Sequence, residues 1–211
     1  VVMPWMNNGV HPDEHFMPES FKAAGYQTAM VGKWHLGHSQ EIFHPNARGF
    51  DNFYGHMHTE VGYFPPFANQ GGIDFQRNGV TITDEGYETF LLADEASRWI
   101  KARDQDKPFF LYMPFIAPHS PLEAPDNLVQ KYEALEDTRE LTRSTAIDRT
   151  RTLNGFSPSA RPMYAAVVDG LDQAIGQVLD TLRSEGIEED TIILFSSDNG
   201  GAAYAGGGAD N

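Results

Sequence analysis

Continuous apolar runs alternate along this chain with stretches whose apolar residues recur at helical spacing. Residues 19–24 read as a short helix ended by Gly25, and residues 27–31 as a strand. Residues 85–103 place Leu92, Ala96, Trp99 and Ile100 on one helical face. Lys107-Pro108 breaks that helix, and residues 109–115 form an apolar run that predicts a buried strand. Residues 162–185 carry the clearest helical pattern. Met163, Val167, Leu171, Ala174, Val178 and Leu182 form one stripe, Pro162 suits the first turn and Gly186 the C-terminal cap. Residues 191–195 read as a further apolar strand. Helices alternating with fully apolar strands predict an α/β fold, a mostly parallel sheet covered by helices on both faces. Ligands of such sheets gather at the carboxyl ends of the strands.

Stretches 38–84 and 134–161 lack a regular pattern and read as long loops, a frequent seat of binding residues. No repeat and no linker divides the chain, so residues 1–211 are expected to be part of one domain. The chain opens on Val1-Val2 and stops just after a Gly-rich stretch, which reads as an internal piece of a longer protein. No apolar run approaches the length of a membrane span. Lysine and arginine total 15 against 30 aspartates and glutamates, a net charge of −15. That balance argues against nucleic acid as a partner, and an anionic ligand would need local positive charge. With no cysteine, thiolate chemistry and disulfides are excluded within these residues.

Three segments that each follow a predicted strand carry the candidate chemistry. In Gly32-Lys33-Trp34-His35-Leu36-Gly37 a cation and an imidazole lie two residues apart. In an extended segment they share a side and suit one sulfate or phosphate ester, with the glycines permitting close backbone turns. In Pro118-His119-Ser120-Pro121 the prolines fix the direction of an imidazole that can act as general acid toward a leaving oxygen. Asp198-Asn199-Gly200-Gly201 offers a carboxylate and an amide oxygen, donors that hard divalent cations prefer, although two ligands do not complete a site. Weaker candidates are the pair His11 and His15, the pair His56 and His58 (a loop role or a substrate contact rather than metal), and the aromatics Tyr63, Phe64 and Phe67. The aromatics suit either stacking on a sugar ring or plain loop packing.

Together these segments resemble the sulfatase family of the alkaline-phosphatase-like superfamily. The likeness is to type I, formylglycine-dependent sulfatases, especially the arylsulfatase B-like (N-acetylgalactosamine-4-sulfatase) branch. It runs through residues 21–26, 30–37, Arg48-Gly49-Phe50-Asp51, 108–121 and 164–201. The resemblance implies an incomplete alkaline-phosphatase-like sheet and hydrolysis of sulfate esters of a sulfated carbohydrate or an aryl sulfate. It implies that Lys33 holds a sulfate oxygen, that His35 assists breakdown of the sulfated intermediate and that His119 serves the leaving oxygen. Asp198 and Asn199 would be two ligands of Ca2+. The formylglycine nucleophile and further calcium ligands would lie upstream of Val1, so the isolated piece is expected to be inactive. Phe156-Ser157-Pro158-Ser159-Ala160-Arg161 is a decoy: aligned on Pro158, phenylalanine stands at the nucleophile position. Family members act in the periplasm, outside the cell or in lysosomes. Two other readings keep the fold: a phosphoester or phosphonate hydrolase, and a non-catalytic binder of sulfated glycans.

Overall fold

A computed structural model of the chain describes residue 2 and residues 5–58, 61–64, 73–135 and 160–200. They fall into two compact units, Val1–Ile116 and Ala117–Asn211.

The first unit is built on a five-stranded sheet. In chain order its elements are α1 (Met17–Ala23), β1 (Gln27–Lys33), two 3-10 turns (Glu41–Phe43 and Pro45–Arg48), β2 (Asn52–His56), β3 (Gln76–Arg77), β4 (Val80–Thr81), α2 (Glu88–Ala102) and β5 (Phe109–Tyr112). The spatial order is β4-β3-β2-β1-β5. β1 runs parallel to both β2 and β5, whereas β3 and β4 are antiparallel additions. β1 lies between β2 and β5 and its interior is buried, as an apolar run in a parallel sheet should be.

Neighbouring residues on β5 show that both faces are covered, because adjacent side chains of a strand point to opposite faces. Phe110 stacks on Phe21 of α1 with ring centroids 4.4 Å apart. Phe109 meets Trp99 of α2 edge-on at 5.7 Å. The α1 face holds a cluster of Met30, Trp34, Phe50, Phe53 and Met57, against which Phe16 and Phe110 pack.

The Arg48-Gly49-Phe50-Asp51 segment proves to be a structural tie. The buried Arg48 guanidinium donates to the Glu14 carbonyl at 2.6 Å and lies 4.2 Å over the Phe16 ring. Asp51 Oδ2 accepts from the Thr28 backbone N at 3.0 Å and from its hydroxyl at 3.1 Å, joining the start of β2 to β1. Burial pushes the Asp51 carboxyl up, but the hydrogen bonds from Lys22 and Thr28 outweigh it and hold the group below its usual range.

On the other face Glu95 of α2 is buried and binds Arg77 of β3 and Arg98 of its own helix. Burial raises its pKa, yet the two guanidinium groups win and lower it. A carboxyl that titrates lower folded than unfolded stabilises fully above its unfolded value and loses that contribution as pH falls through its folded value. Glu95→Gln is therefore expected to cost about 1–2 kcal/mol at neutral pH, with the difference from wild type vanishing in acid. Urea denaturation at pH 7 and at low pH checks this.

The second unit contains α3 (Asp126–Lys131) and α4 (Ala160–Ser184). Lys131 Nζ lies 2.8 Å from Asp169, which its ammonium holds below the usual carboxylate range. The stripe on α4 is buried at Met163, Val167, Ala174, Val178 and Leu182. The helix ends as predicted: Gly186 takes a φ of 70° and the Ile187 N–H reaches back to the Leu182 carbonyl at 3.0 Å.

Three expectations change. Residues 38–84 are not one long loop, since they contain β2, β3 and β4. The run 109–115 gives only the four-residue β5, whose residues are half-buried or exposed, because among the described residues it pairs on one side alone. Residues 191–195 form no strand: Ile192, Leu194 and Phe195 are 88, 90 and 80% exposed. A strand needs a ladder partner, and the described elements of this unit are helices.

Candidate active site

β1 and β2 run parallel in a register that sets Lys33 beside His56 and Gly32 beside Gly55. Their carboxyl ends therefore share one edge of the sheet. The glycines let the strands close up there. A Cβ on Gly55 would stand 2.0 Å from the Gly32 carbonyl oxygen, and one on Gly32 would stand 2.3 Å from that of Pro114.

Three backbone hydrogen bonds hold the segment after Gly32. Lys33 N donates to the Pro114 carbonyl at 2.8 Å, Trp34 N to that of His56 at 2.9 Å and His35 N to that of Met57 at 3.0 Å. The buried Trp34 side chain pins the turn from below, its indole N–H shared between the carbonyls of Gly37 (3.0 Å) and Phe43 (2.8 Å).

β1 ends at Lys33, and His35 takes a φ of 58°, in the left-handed region that a bulky residue seldom occupies. Strand alternation thus stops short of His35. The lysine and imidazole are therefore not related by extended geometry, because the backbone leaves the strand between them. Strain of this kind clusters at functional sites.

Two further histidines flank this edge. His58 is half-buried, its ring 4.3 Å from that of His38, and Asp74 caps the turn by accepting from Met57 N at 3.1 Å and His58 N at 2.8 Å. Burial lowers the His58 pKa, as do His38 and His56, against the opposing pull of Asp74. His56 is wholly buried, which removes it as a substrate contact. Its Nε2 lies 3.2 Å from Oε1 of Glu88, itself wholly buried in the first turn of α2. Nothing in the sequence links these two residues, because their approach depends on α2 crossing the carboxyl edge of the sheet. Tyr63 is fully buried and stacks on Tyr87 at 5.5 Å, with Phe64 5.0 Å from the same ring. Packing, not sugar stacking, is the role of these two. Phe67 lies outside the described residues. His11 and His15 are exposed and bind separate local partners, Asp13 and Ser20.

The remaining candidates belong to the second unit. His119 is exposed between two cis peptide bonds, Ala117–Pro118 and Ser120–Pro121. Its Nδ1 stands 2.5 Å from the Ser120 carbonyl. A carbonyl only accepts, so Nδ1 carries the hydrogen and Nε2 is the nitrogen left to exchange a proton. Asp198 and Asn199 are exposed in a bend. Having lost the strand expected before them, they are held by local contacts: Ser197 Oγ donates to the Asn199 carbonyl, and Asn199 Nδ2 to that of Gly200 at 3.2 Å. Their oxygens are the donors a hard cation takes. Among the described residues no group of three or more His, Cys, Asp or Glu side chains could hold a metal ion.

A sulfatase family profile matches residues 2–211. The chain belongs to the sulfatase family. It is 32% identical to mouse arylsulfatase J over 98% of the chain and 32% of that relative. It is 30% identical to mouse N-acetylgalactosamine-6-sulfatase over 92% of the chain and 34% of the relative. Among solved structures, it resembles Ps i-CgsB in complex with k-i-k-neocarrahexaose with a TM-score of 0.72 and 26% identity, over 88% of this chain and 40% of that one. This sulfatase-family chain thus spans about a third of the length of these curated relatives, and the α/β architecture is that of its family. Among the described residues no helix is long and apolar enough to cross a membrane.

Proposed function

We propose that the protein hydrolyses sulfate esters, acting on a sulfated glycan or an aryl sulfate, and that residues 1–211 form part of its catalytic domain. The observation that carries this reading is the placement of Lys33 and His35, on a tight, glycine-flanked turn at the carboxyl ends of parallel strands in a sulfatase-family chain.

In this reading Lys33, His35, His119, Asp198 and Asn199 each serve hydrolysis of the sulfate ester. The Lys33 ammonium offsets charge on the non-bridging oxygens, which the net charge of −15 would otherwise repel. His119, as the imidazolium, donates its Nε2 proton to the departing bridging oxygen and is left as the neutral Nδ1–H ring that faces the Ser120 carbonyl. His35, held by its backbone bond to Met57, serves as the proton carrier in the formylglycine cycle. Asp198 and Asn199 fit calcium in donor type and exposure, and the remaining ligands would come from outside the described residues. Calcium, when bound, supplies positive charge that polarises the sulfate. A periplasmic, extracellular or lysosomal site of action goes with this reading.

The test is turnover of 4-nitrocatechol sulfate and 4-nitrophenyl phosphate by the full-length protein, with and without EGTA. The sulfate ester should be preferred, and chelation should remove activity that added calcium restores. Preference for the phosphate would favour a phosphoester hydrolase, and binding without turnover a non-catalytic glycan binder.

A further inference from the structure

We propose that the buried His56–Glu88 pair positions the Lys33–His35 segment for catalysis. The inference rests on the sulfate-binding reading above and goes beyond it, because neither residue touches substrate.

The Trp34 amide hangs on the His56 carbonyl at 2.9 Å and the His35 amide on the next carbonyl, that of Met57. Lys33 is the register partner of His56 across the parallel pair. Whatever fixes the backbone at His56 and Met57 therefore fixes the turn that carries the lysine and imidazole.

The His56 ring is hydrogen-bonded at Nδ1 and faces a carboxylate at Nε2. Nδ1 lies 2.5 Å from the His58 carbonyl, which can only accept, so Nδ1 carries a hydrogen. Nε2 lies 3.2 Å from Glu88 Oε1. Among the described residues Nε2 and both Glu88 carboxylate oxygens are buried without a hydrogen bond, so this close electrostatic contact is the interaction the structure gives them. Both side chains are 0% exposed, so solvent neither screens nor replaces the link. Glu88 stands in the first turn of α2, where helix polarity favours a carboxylate, and its own N–H is bound to the Tyr63 carbonyl at 2.9 Å. The pair thus ties the carboxyl end of β2 to the amino end of α2, directly beside Lys33.

An apolar pair of similar volume often stabilises as well as a buried ion pair does, which separates positioning from stability. In the full-length protein, the double variant His56→Leu/Glu88→Met should keep its melting temperature within a few degrees. Its kcat on 4-nitrocatechol sulfate should fall by about 10- to 100-fold, with KM changed by no more than about twofold. A folded double variant with wild-type kcat would overturn the inference and leave the sulfatase reading intact. If the double variant does not fold, Glu88→Gln decides. It keeps the volume but loses the charge-assisted contact, and should lower kcat by about 3- to 10-fold at unchanged KM. Wild-type kcat in a folded Glu88→Gln would overturn the inference. Absence of turnover in the wild type itself would overturn the sulfatase reading and this inference with it.

Discussion

Replacing Lys33 with alanine lowers kcat/KM for an aryl sulfate by about 100- to 1,000-fold, the range typical of removing one group aimed at a developing oxyanion. The backbone of Lys33 is bonded to the Pro114 carbonyl and its strand is buried on both sides, so the truncation leaves the sheet standing. Circular dichroism of the variant should match the wild type. Lys33→Arg keeps the positive charge but replaces a compact ammonium with a planar fork, so it recovers only part of the loss. Steady-state kinetics of the full-length protein, beside thermal melts of the same preparations, reads both effects. A Lys33→Ala variant as active as wild type would remove the lysine from the site.

The largest loss of stability is expected from Gly55→Ala. Gly55 takes a φ of 150°, and its added Cβ would meet the carbonyl oxygen of Gly32 on the neighbouring strand at 2.0 Å. Neither partner is a flexible side chain, so relief requires parting β1 from β2. Backbone strain and overpacking together amount to roughly 3–5 kcal/mol. Gly79→Ala is the control: it carries the same kind of positive φ, 79°, but nothing lies within 4 Å of its Cβ. Strain alone should cost it about 1 kcal/mol. Urea midpoints of the two variants should separate widely, and equal midpoints would show that the strands do not approach so closely.

The elements that declare themselves in the sequence are those with long, uninterrupted periodicity. β1 shows as an apolar run, α2 and α4 as helical stripes. β2 stays hidden because Asn52, Gly55 and His56 dilute its apolar residues, although Phe53 and Tyr54 are as buried as the core of β1. β3 and β4, two residues each, are set by pairing and not by pattern. The opposite error occurs at residues 191–195, where an apolar run promises a strand that has no ladder partner among the described residues. Hydrophobicity reports the wish to be buried, not what is available to bury against.

The candidate site divides in the same way. Lys33 and His35 stand out because the glycine-flanked motif carries both charge and spacing. The left-handed turn at His35 could not be read, since it is imposed by bonds to Met57 and by the Trp34 anchor. The His56–Glu88 contact was beyond reach, because it joins residues of different elements that only the folded sheet edge brings together.

Everything functional in this proposal rests on Lys33 holding a sulfate ester at the carboxyl end of β1. The direct measurement is a crystal structure of the full-length protein soaked with a sulfated sugar. A sulfate should lie within hydrogen-bond distance of Lys33 Nζ. A sulfate bound elsewhere, out of reach of Lys33, would contradict the account.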